Sequence, residues 1–304
     1  MSPTDRVCVI VNPAAGRGRG ARALPAVRAA FAAAGITDLR ESTAREGEAL
    51  IAAQAIAEGC TTLVAVGGDG TWSNVANAIV HAGADTRLAL IAAGTGNDFA
   101  KSTGAPARDP IATARLVVAG AEKRVDVGRI EERHFLNIVG FGFDVAVLES
   151  LTRRTWLRGE ALYLWSALRM LGAYRGSTID VRSPVRARGD VEHLILVIAN
   201  ARNFGGAFRI APEASLTDGQ LDAVAIRDAS PLRRVRLFGA VVRGTHGHLP
   251  DVDVERSPSF TVRFPSPPAY EVDGEYRRAV SSTLEITSVP RALRLVVPPD
   301  AMTQ

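Results

Sequence analysis

A chain of 304 residues, 47% hydrophobic and 22% charged, has the composition of a globular protein with a sizeable core, long enough for two modest domains or one large one. It contains no run of 18 or more apolar residues, which excludes a membrane-spanning helix, and nothing ahead of Val7 reads as a secretory leader. The formal net charge of +4 suits small anionic ligands and anionic surfaces but is too small to argue for nucleic acid, and no zinc spacing, helix-turn-helix or aromatic-basic RNA motif accompanies it.

The first 130 residues or so alternate short apolar runs with alanine-rich helical stretches, the pattern of a parallel α/β layer. A strand over Arg6–Val11 leads through the loop Asn12–Gly20 to a helix over Ala21–Ala34. A strand over Asp38–Ser42 precedes a helix over Gly47–Glu58, and a strand over Thr62–Val66 precedes a helix from Thr71 to about Val80. Strand Leu88–Ala92, helix Pro110–Val118 and strand Lys123–Arg129 complete the series. Cys8 and Cys60 both fall in apolar, strand-like contexts and read as reduced core residues of a cytosolic protein.

After Glu131 the texture changes to shorter segments separated by glycine, proline and aspartate: Phe135–Val139, Thr178–Val181, Leu194–Asn200, Leu221–Ile226 and Ser259–Arg263. These predict an antiparallel, sheet-rich second domain, interrupted by helical insertions at Asp144–Tyr174 and Pro231–Arg243. The expected division is an α/β domain over 1–130, to which the strand-like tail 290–304 returns, and a β-rich domain over 131–289.

Three loops end strands in the first half: Asn12 to Gly16, Gly67 to Thr71, and Gly94 to Asp98. In a parallel sheet such loops gather on one edge, where ligands bind. In Gly67-Gly68-Asp69-Gly70-Thr71 the glycines let backbone approach a ligand, and the next helix offers its amides to an anion. Asp69 is placed where a carboxylate can hold a magnesium ion. The same turn serves any α/β protein as a capped β-to-α connection, and Asp98 likewise reads as a helix cap before Phe99-Ala100-Lys101. No Walker-type Gly-Lys-Ser/Thr loop or protein-kinase signature is present.

Taken in order, these loops resemble the diacylglycerol kinase catalytic-domain family, in particular its soluble bacterial lipid kinases. The matching residues are Val11-Asn12-Pro13 with Gly16, Gly67 to Thr71, Gly94 to Ala100, Gly140 to Asp144, Ala211 to Ala214, Asp218 to Asp222, and Asp273-Gly274-Glu275. The resemblance implies a nucleotide-binding α/β domain, a β-sandwich domain and an active site in the cleft between them. It implies ATP as donor, Mg2+ as cofactor, and a lipid hydroxyl such as that of diacylglycerol as acceptor.

Carried over residue by residue, the resemblance sets the ATP phosphates against Gly67, Gly68, Asp69, Gly70 and Thr71, with Thr95 and Thr43 nearby. Gly94, Gly96 and Asn97 form the third loop, and Asn12 shapes the first. Asp69 and Asp98 correspond to the acids that organise magnesium and the phosphoryl group. The proton acceptor maps to Glu275, with Asp273 as partner or rival. Two acids at i and i+2 share a face if the backbone is extended, so the residues alone do not separate them. Asp273-Gly274 also suits an ordinary solvated turn. Ser215, Asp218 and Gln220 correspond to a second, structural magnesium site; the alternative is an Asp-Gly hairpin turn. One departure is Ala207, where the family often has a third glycine after Gly205-Gly206.

The stretch 153–175 combines Trp156, Tyr163 and Trp165 with Arg153, Arg154, Arg158, Arg169 and Arg175. It reads either as an interfacial helix or as an amphipathic helix covering the β-domain. The expected partners are ATP, a lipid substrate and, peripherally, a membrane; nucleic acid is not expected and a homodimer is left open. The rival readings are a NAD kinase-like enzyme, which shares the Gly-Gly-Asp-Gly turn, and a non-catalytic nucleotide or lipid sensor.

Overall fold

A computed structural model describes residues 6–43, 47–152 and 174–301, the side chains of 150–152 excepted. The chain divides into two compact units, residues 1–127 with 290–304, and residues 128–289.

The first unit is built on parallel strands β1 (Val7–Val11), β2 (Leu39–Glu41), β3 (Thr62–Gly67) and β4 (Arg87–Ala92), in the order β2-β1-β3-β4. Every residue of β1 and β3 is buried. This is why they are continuous apolar runs rather than alternating ones: helices cover both faces of the sheet. Those helices are α1 (Ala15–Ala33), α2 (Gly47–Ala57), α3 (Asp69–His81), α4 (Asp98–Thr103) and α5 (Pro110–Ala119). Helix α5 shows how local chemistry sets a boundary. The Asp109 carboxylate accepts from the amides of Ile111 and Ala112 at 2.9 and 3.0 Å, Pro110 opens the helix, and Gly120 closes it at φ 72°.

The start of α1 departs from a plain helix. Gly16, Arg17 and Gly18 are all left-handed, with φ of 55°, 61° and 82°, so regular right-handed turns begin only past Gly18. Cys8 and Cys60 are both free and buried, and burial pushes the Cys8 thiol up to about 12.

The first unit also takes the end of the last strand, whose Arg294 and Leu295 pair in parallel with Arg87 and Leu88 of β4. The Arg294 guanidinium holds that end, donating to Glu122 at 2.8 and 2.7 Å and to Asp85 at 2.7 Å.

Strand β5 (Lys123–Ile130) leads into the second unit and forms a hairpin with β6 (Arg133–Phe135). Next come β7 (Ile138–Gly142), α6 (Phe143–Thr152), β8 (Ser177–Arg182), β9 (Ala187–Ala199), β10 (Leu221–Arg227) and α7 (Pro231–Arg243). Strands β11 (Val252–Ser257), β12 (Ser259–Arg263), β13 (Ala269–Val272), β14 (Glu275–Arg278) and β15 (Thr283–Leu295) follow. Within this unit the strand pairings are antiparallel, as the texture of the second half predicts. Alternate residues feed two cores: Val139, Phe141, Leu196 and Ile198 enter one, Ile138, Ile195, Val197 and Ala199 the other. A strand buried on both faces again reads as a continuous apolar run.

The expected single strand over Phe135–Val139 is two strands, β6 and β7. Leu136 and Asn137 leave the ladder because their amides turn to a carboxylate, described below. The expected insertion Asp144–Tyr174 is described as α6 up to Thr152. The aromatic and arginine-rich residues 153–173 lie outside the described residues.

Candidate active site

The three loops at the carboxyl ends of β1, β3 and β4 come together in the first unit. Asn12 binds its own loop through Oδ1, which accepts from the amides of Ala14 and Ala15 at 3.0 and 3.1 Å. Its Nδ2 donates to Thr71 Oγ1 at 3.1 Å, joining the first loop to the second. Glycine is required where the second and third loops meet. A Cβ on Gly94 would lie 2.4 Å from the Gly68 Cα, and one on Gly68 would lie 2.8 Å from the Gly94 Cα. Asn97 ties off the third loop in a left-handed conformation at φ 51°, accepting from the Gly94 amide at 3.0 Å and donating to the Gly94 carbonyl at 2.9 Å.

Asp69 and Asp98 each sit in the first turn of a helix, α3 and α4, with Gly68 and Asn97 as the capping residues. Asp98 is therefore not the helix cap: Asn97, which tolerates the left-handed conformation, takes that place. Asp69 Oδ1 accepts from the Phe99 amide at 3.0 Å, and Asp98 Oδ1 accepts from Lys101 Nζ at 2.8 Å. Their second oxygens converge on Gly96, whose missing Cβ would stand 3.3 Å from Asp69 Oδ2 and 3.2 Å from Asp98 Oδ2. Two carboxylate oxygens around a space kept by glycine form a donor set that fits a hard divalent cation.

Gly68 offers no side-chain cap, which leaves the head of α3 to present amides outward from a glycine turn. Thr95 Oγ1 accepts from Arg19 at 3.0 Å, and Arg19 also donates to the Gly16 carbonyl at 3.1 Å. This bridge between loops one and three is a feature sequence reasoning missed; its only signal is the Gly-Arg-Gly-Arg-Gly run. Thr43 follows β2 on the same sheet edge and is exposed.

In the second unit, Asp273-Gly274 is the two-residue turn between β13 and β14, with Val272 paired to Glu275. Both turn residues are left-handed, φ 48° and 85°, as a type I′ hairpin demands. The backbone here is not extended, so Asp273 and Glu275 do not share a face by strand alternation. Nor is the turn solvated at Asp273, which is 8% exposed. Its Oδ1 accepts from the amides of Asn137 and Ile138 at 2.8 and 3.2 Å, and its Oδ2 from that of Leu136 at 2.8 Å. Glu275 instead lies between two arginines, its Oε2 at 3.5 Å from Arg133 and 3.2 Å from Arg277. Arg133 arrives from the β5–β6 hairpin, and nothing near it in the sequence announces the pairing.

In the loop 215–220, Ser215 Oγ accepts from the Thr217 amide at 3.3 Å, and Asp218 Oδ1 from the Gln220 amide at 3.0 Å. Arg256, bonded to the Glu213 carbonyl at 3.0 Å and to Asp222 at 3.2 Å, comes to 3.9 Å from Asp218 Oδ2. Ala207 causes no strain. Gly205 and Gly206 take the positive φ values, 60° and 82°, while Phe204 and Phe208 close the loop around them.

Comparisons with known proteins bear on this arrangement. The family model described as "Diacylglycerol kinase catalytic domain" matches residues 6–130, and "YegS C-terminal NAD kinase beta sandwich-like domain" matches 137–297. A diacylglycerol kinase of Mycobacterium tuberculosis is 31% identical over 300 residues, 96% of this chain and 95% of the relative. One from Bacillus subtilis is 26% identical over 98% of each. Among solved structures, a diacylglycerol kinase from Bacillus anthracis superposes with TM-score 0.72 at 19% identity over 97% of each chain. Yeast NADH kinase shares the fold more distantly, with TM-score 0.53 and 10% identity over 98% of this chain and 85% of the other. With both models matched in order and a relative above 30% identity along nearly the whole length, the chain belongs to the diacylglycerol kinase catalytic-domain family of lipid kinases.

Proposed function

We propose that the protein transfers the γ-phosphate of ATP, with Mg2+, directly to the hydroxyl of a membrane lipid of the diacylglycerol class. The observation that carries this reading is the convergence of Asp69 and Asp98 on Gly96 within three joined glycine loops. The amides around Gly67 to Thr71, at the head of α3, hold the phosphates, and Thr95 and the Gly94–Asn97 loop close on them. Thr43 stands at the margin of that edge. Asp69 and Asp98 would hold the metal, which would supply charge neutralisation to the phosphates. Phosphoryl transfer then asks little more than positioning and removal of the hydroxyl proton.

For that proton the reading favours Glu275 over Asp273. Three amide donors occupy the Asp273 carboxylate, and protonating it would break bonds that fix the chain at Leu136–Ile138. Glu275 is the less committed acid, and Arg133 and Arg277 hold its carboxylate in place. The second unit also holds an apolar cavity of about 60 Å3 lined by Phe143, Ile195, Phe204, Phe208, Leu237 and Phe238, room for a few methylene groups and not for a whole acyl chain. A water-insoluble acceptor makes peripheral contact with a bilayer part of the reading.

The test is transfer of labelled γ-phosphate from Mg-ATP to a total lipid extract, with Asp69→Ala and NAD run alongside. A labelled lipid that disappears in the variant is expected. Label in NAD, or none in lipid, would overturn the reading.

A further inference from the structure

Helix α7 has two unlike faces. Its inner residues Leu237, Ala240 and Val241 are buried, and Leu237, Phe238 and Val241 form one wall of the apolar cavity. On the outer face, Leu232, Arg236, Gly239 and Arg243 recur at i, i+4, i+7 and i+11, which sets them in a single stripe about 17 Å long. Val235 flanks that stripe one turn on from Leu232. Leu232 is 83% exposed and Val235 52%. One exposed apolar side chain is ordinary, but two on adjacent turns of one helix face call for a partner surface.

The charges on this face have one sign. Helix α7 contains no aspartate or glutamate. Arg233 is paired with Asp251 at 2.9 Å, and Arg234 is buried, donating to the Tyr174 carbonyl at 2.9 Å. Arg236 and Arg243 are exposed, and no carboxylate lies within ion-pair distance of either among the described residues. Arg209, also exposed, adds a third cation at the end of the helix, where the Cβ that Gly244 lacks would stand 3.2 Å from the Arg209 Cβ. A glycine inside a helix weakens it, yet Gly239 occupies the middle of the stripe. A Cβ there would meet the Arg243 guanidinium at 3.6 Å, so that group lies back along the stripe.

Arginines interleaved with exposed leucine and valine match the edge of an anionic bilayer. Lipid phosphates take the guanidinium groups, and the acyl boundary beneath them takes the apolar side chains. Nucleic acid would engage the arginines and leave Leu232 and Val235 in water. We propose that the outer face of α7 is the surface by which the protein docks on an anionic membrane. Leu232 and Val235 enter the bilayer edge, and Arg209, Arg236 and Arg243 meet lipid phosphates. This rests on the lipid-kinase reading above and adds to it the face turned to the membrane. The inner face of the same helix then sets the apolar cavity directly behind that contact.

The experiment measures sedimentation with vesicles of phosphatidylcholine, alone and with an equal part of phosphatidylglycerol. It also measures initial rates on long-chain diacylglycerol in those vesicles and on dibutanoylglycerol in free solution. The proteins are the wild type, Arg236→Gln with Arg243→Gln, and Leu232→Ser with Val235→Ser. The arginine pair should bind the anionic vesicles about 30-fold more weakly, roughly fivefold per charge, and the apolar pair about tenfold more weakly. Both should lose rate on vesicles while keeping the wild-type rate on the dissolved lipid and the wild-type thermal midpoint. Unchanged vesicle binding in both pairs overturns the inference alone, as does a wild type that turns over dissolved lipid without binding anionic vesicles. Weaker binding in the arginine pair only, matched by weaker binding to duplex DNA, marks a general polyanion surface and overturns it too. A wild type that phosphorylates neither lipid overturns the lipid-kinase reading itself.

Discussion

Asp273 and Asp144 are buried carboxylates of the same unit, 8% and 2% exposed, yet their surroundings are opposite. At the β13–β14 turn, three main-chain amides converge on Asp273. At the head of α6, the Asp144 oxygens meet no side-chain partner among the described residues, only a weak pull from the amides of Val145 and Asp144 itself, and rest against the bare Cα of Gly140. Burial is common to both, so burial does not decide what an acid does. Donors do: three well-placed amides commit the first acid to holding the chain, while at the second the neighbouring amides are too weak to offset burial. Glu275, two residues past Asp273, is a third case, a partly exposed acid fixed by two guanidinium groups rather than by backbone.

The largest expected effect sharpens the contrast within the hairpin. Glu275→Gln should lower kcat by about 10²–10⁴-fold, as loss of a proton acceptor does, while shifting unfolding free energy by less than about 1 kcal/mol. Steady-state rates and urea unfolding on one preparation read both numbers; full turnover would remove Glu275 from the mechanism. Asp273→Ala should act the other way round, as a folding defect. Three amides lose their acceptor, and urea unfolding should show a loss of about 3 kcal/mol. A variant as stable as the wild type would mean that those bonds do not hold Leu136–Ile138.

The smallest effect breaks or confirms the comparison through pH. The Asp144 carboxyl is raised from 3.8 to about 7 by burial, so the folded chain holds a proton that the unfolded chain releases. Wild-type stability should therefore fall as pH rises from about 4 to about 7 and level off above. Asp144→Asn should lack this slope and be the more stable of the two at pH 8. Glu271 and Tyr174, the titratable neighbours of Asp144, stay in place in both proteins. Parallel stability profiles for the two would show that Asp144 is ionised and compensated.

What was legible in the sequence follows from what is local. The strands β1, β3 and β4 are continuous apolar runs because both their faces are covered, and the glycine loops at their ends mark themselves by composition. The convergence of Asp69 and Asp98 on Gly96 was readable as adjacent loops, though not as a shared space. The division of labour between Asp273 and Glu275 was hidden, because the partners of Asp273 lie 135 to 137 residues upstream and Arg133 comes from another hairpin. Those contacts also split the apolar run 135–139, which periodicity alone reads as one strand. Asp144 appeared only as a motif residue. Its isolation depends on a missing Cβ in a neighbouring strand, which no spacing rule detects.

The two sulfurs have a practical meaning. Cys8 and Cys60 are the whole cysteine content of the chain, both buried, and desolvation raises both thiols, so almost no thiolate exists near neutral pH. Maleimides and similar probes should therefore pass over the native protein. A cysteine introduced at an exposed position such as Leu232 or Val280 becomes the single reactive handle for a dye or spin label without removing either native sulfur. Any label that does reach Cys8 then times the opening of the central strand, so the unaltered chain carries its own unfolding clock.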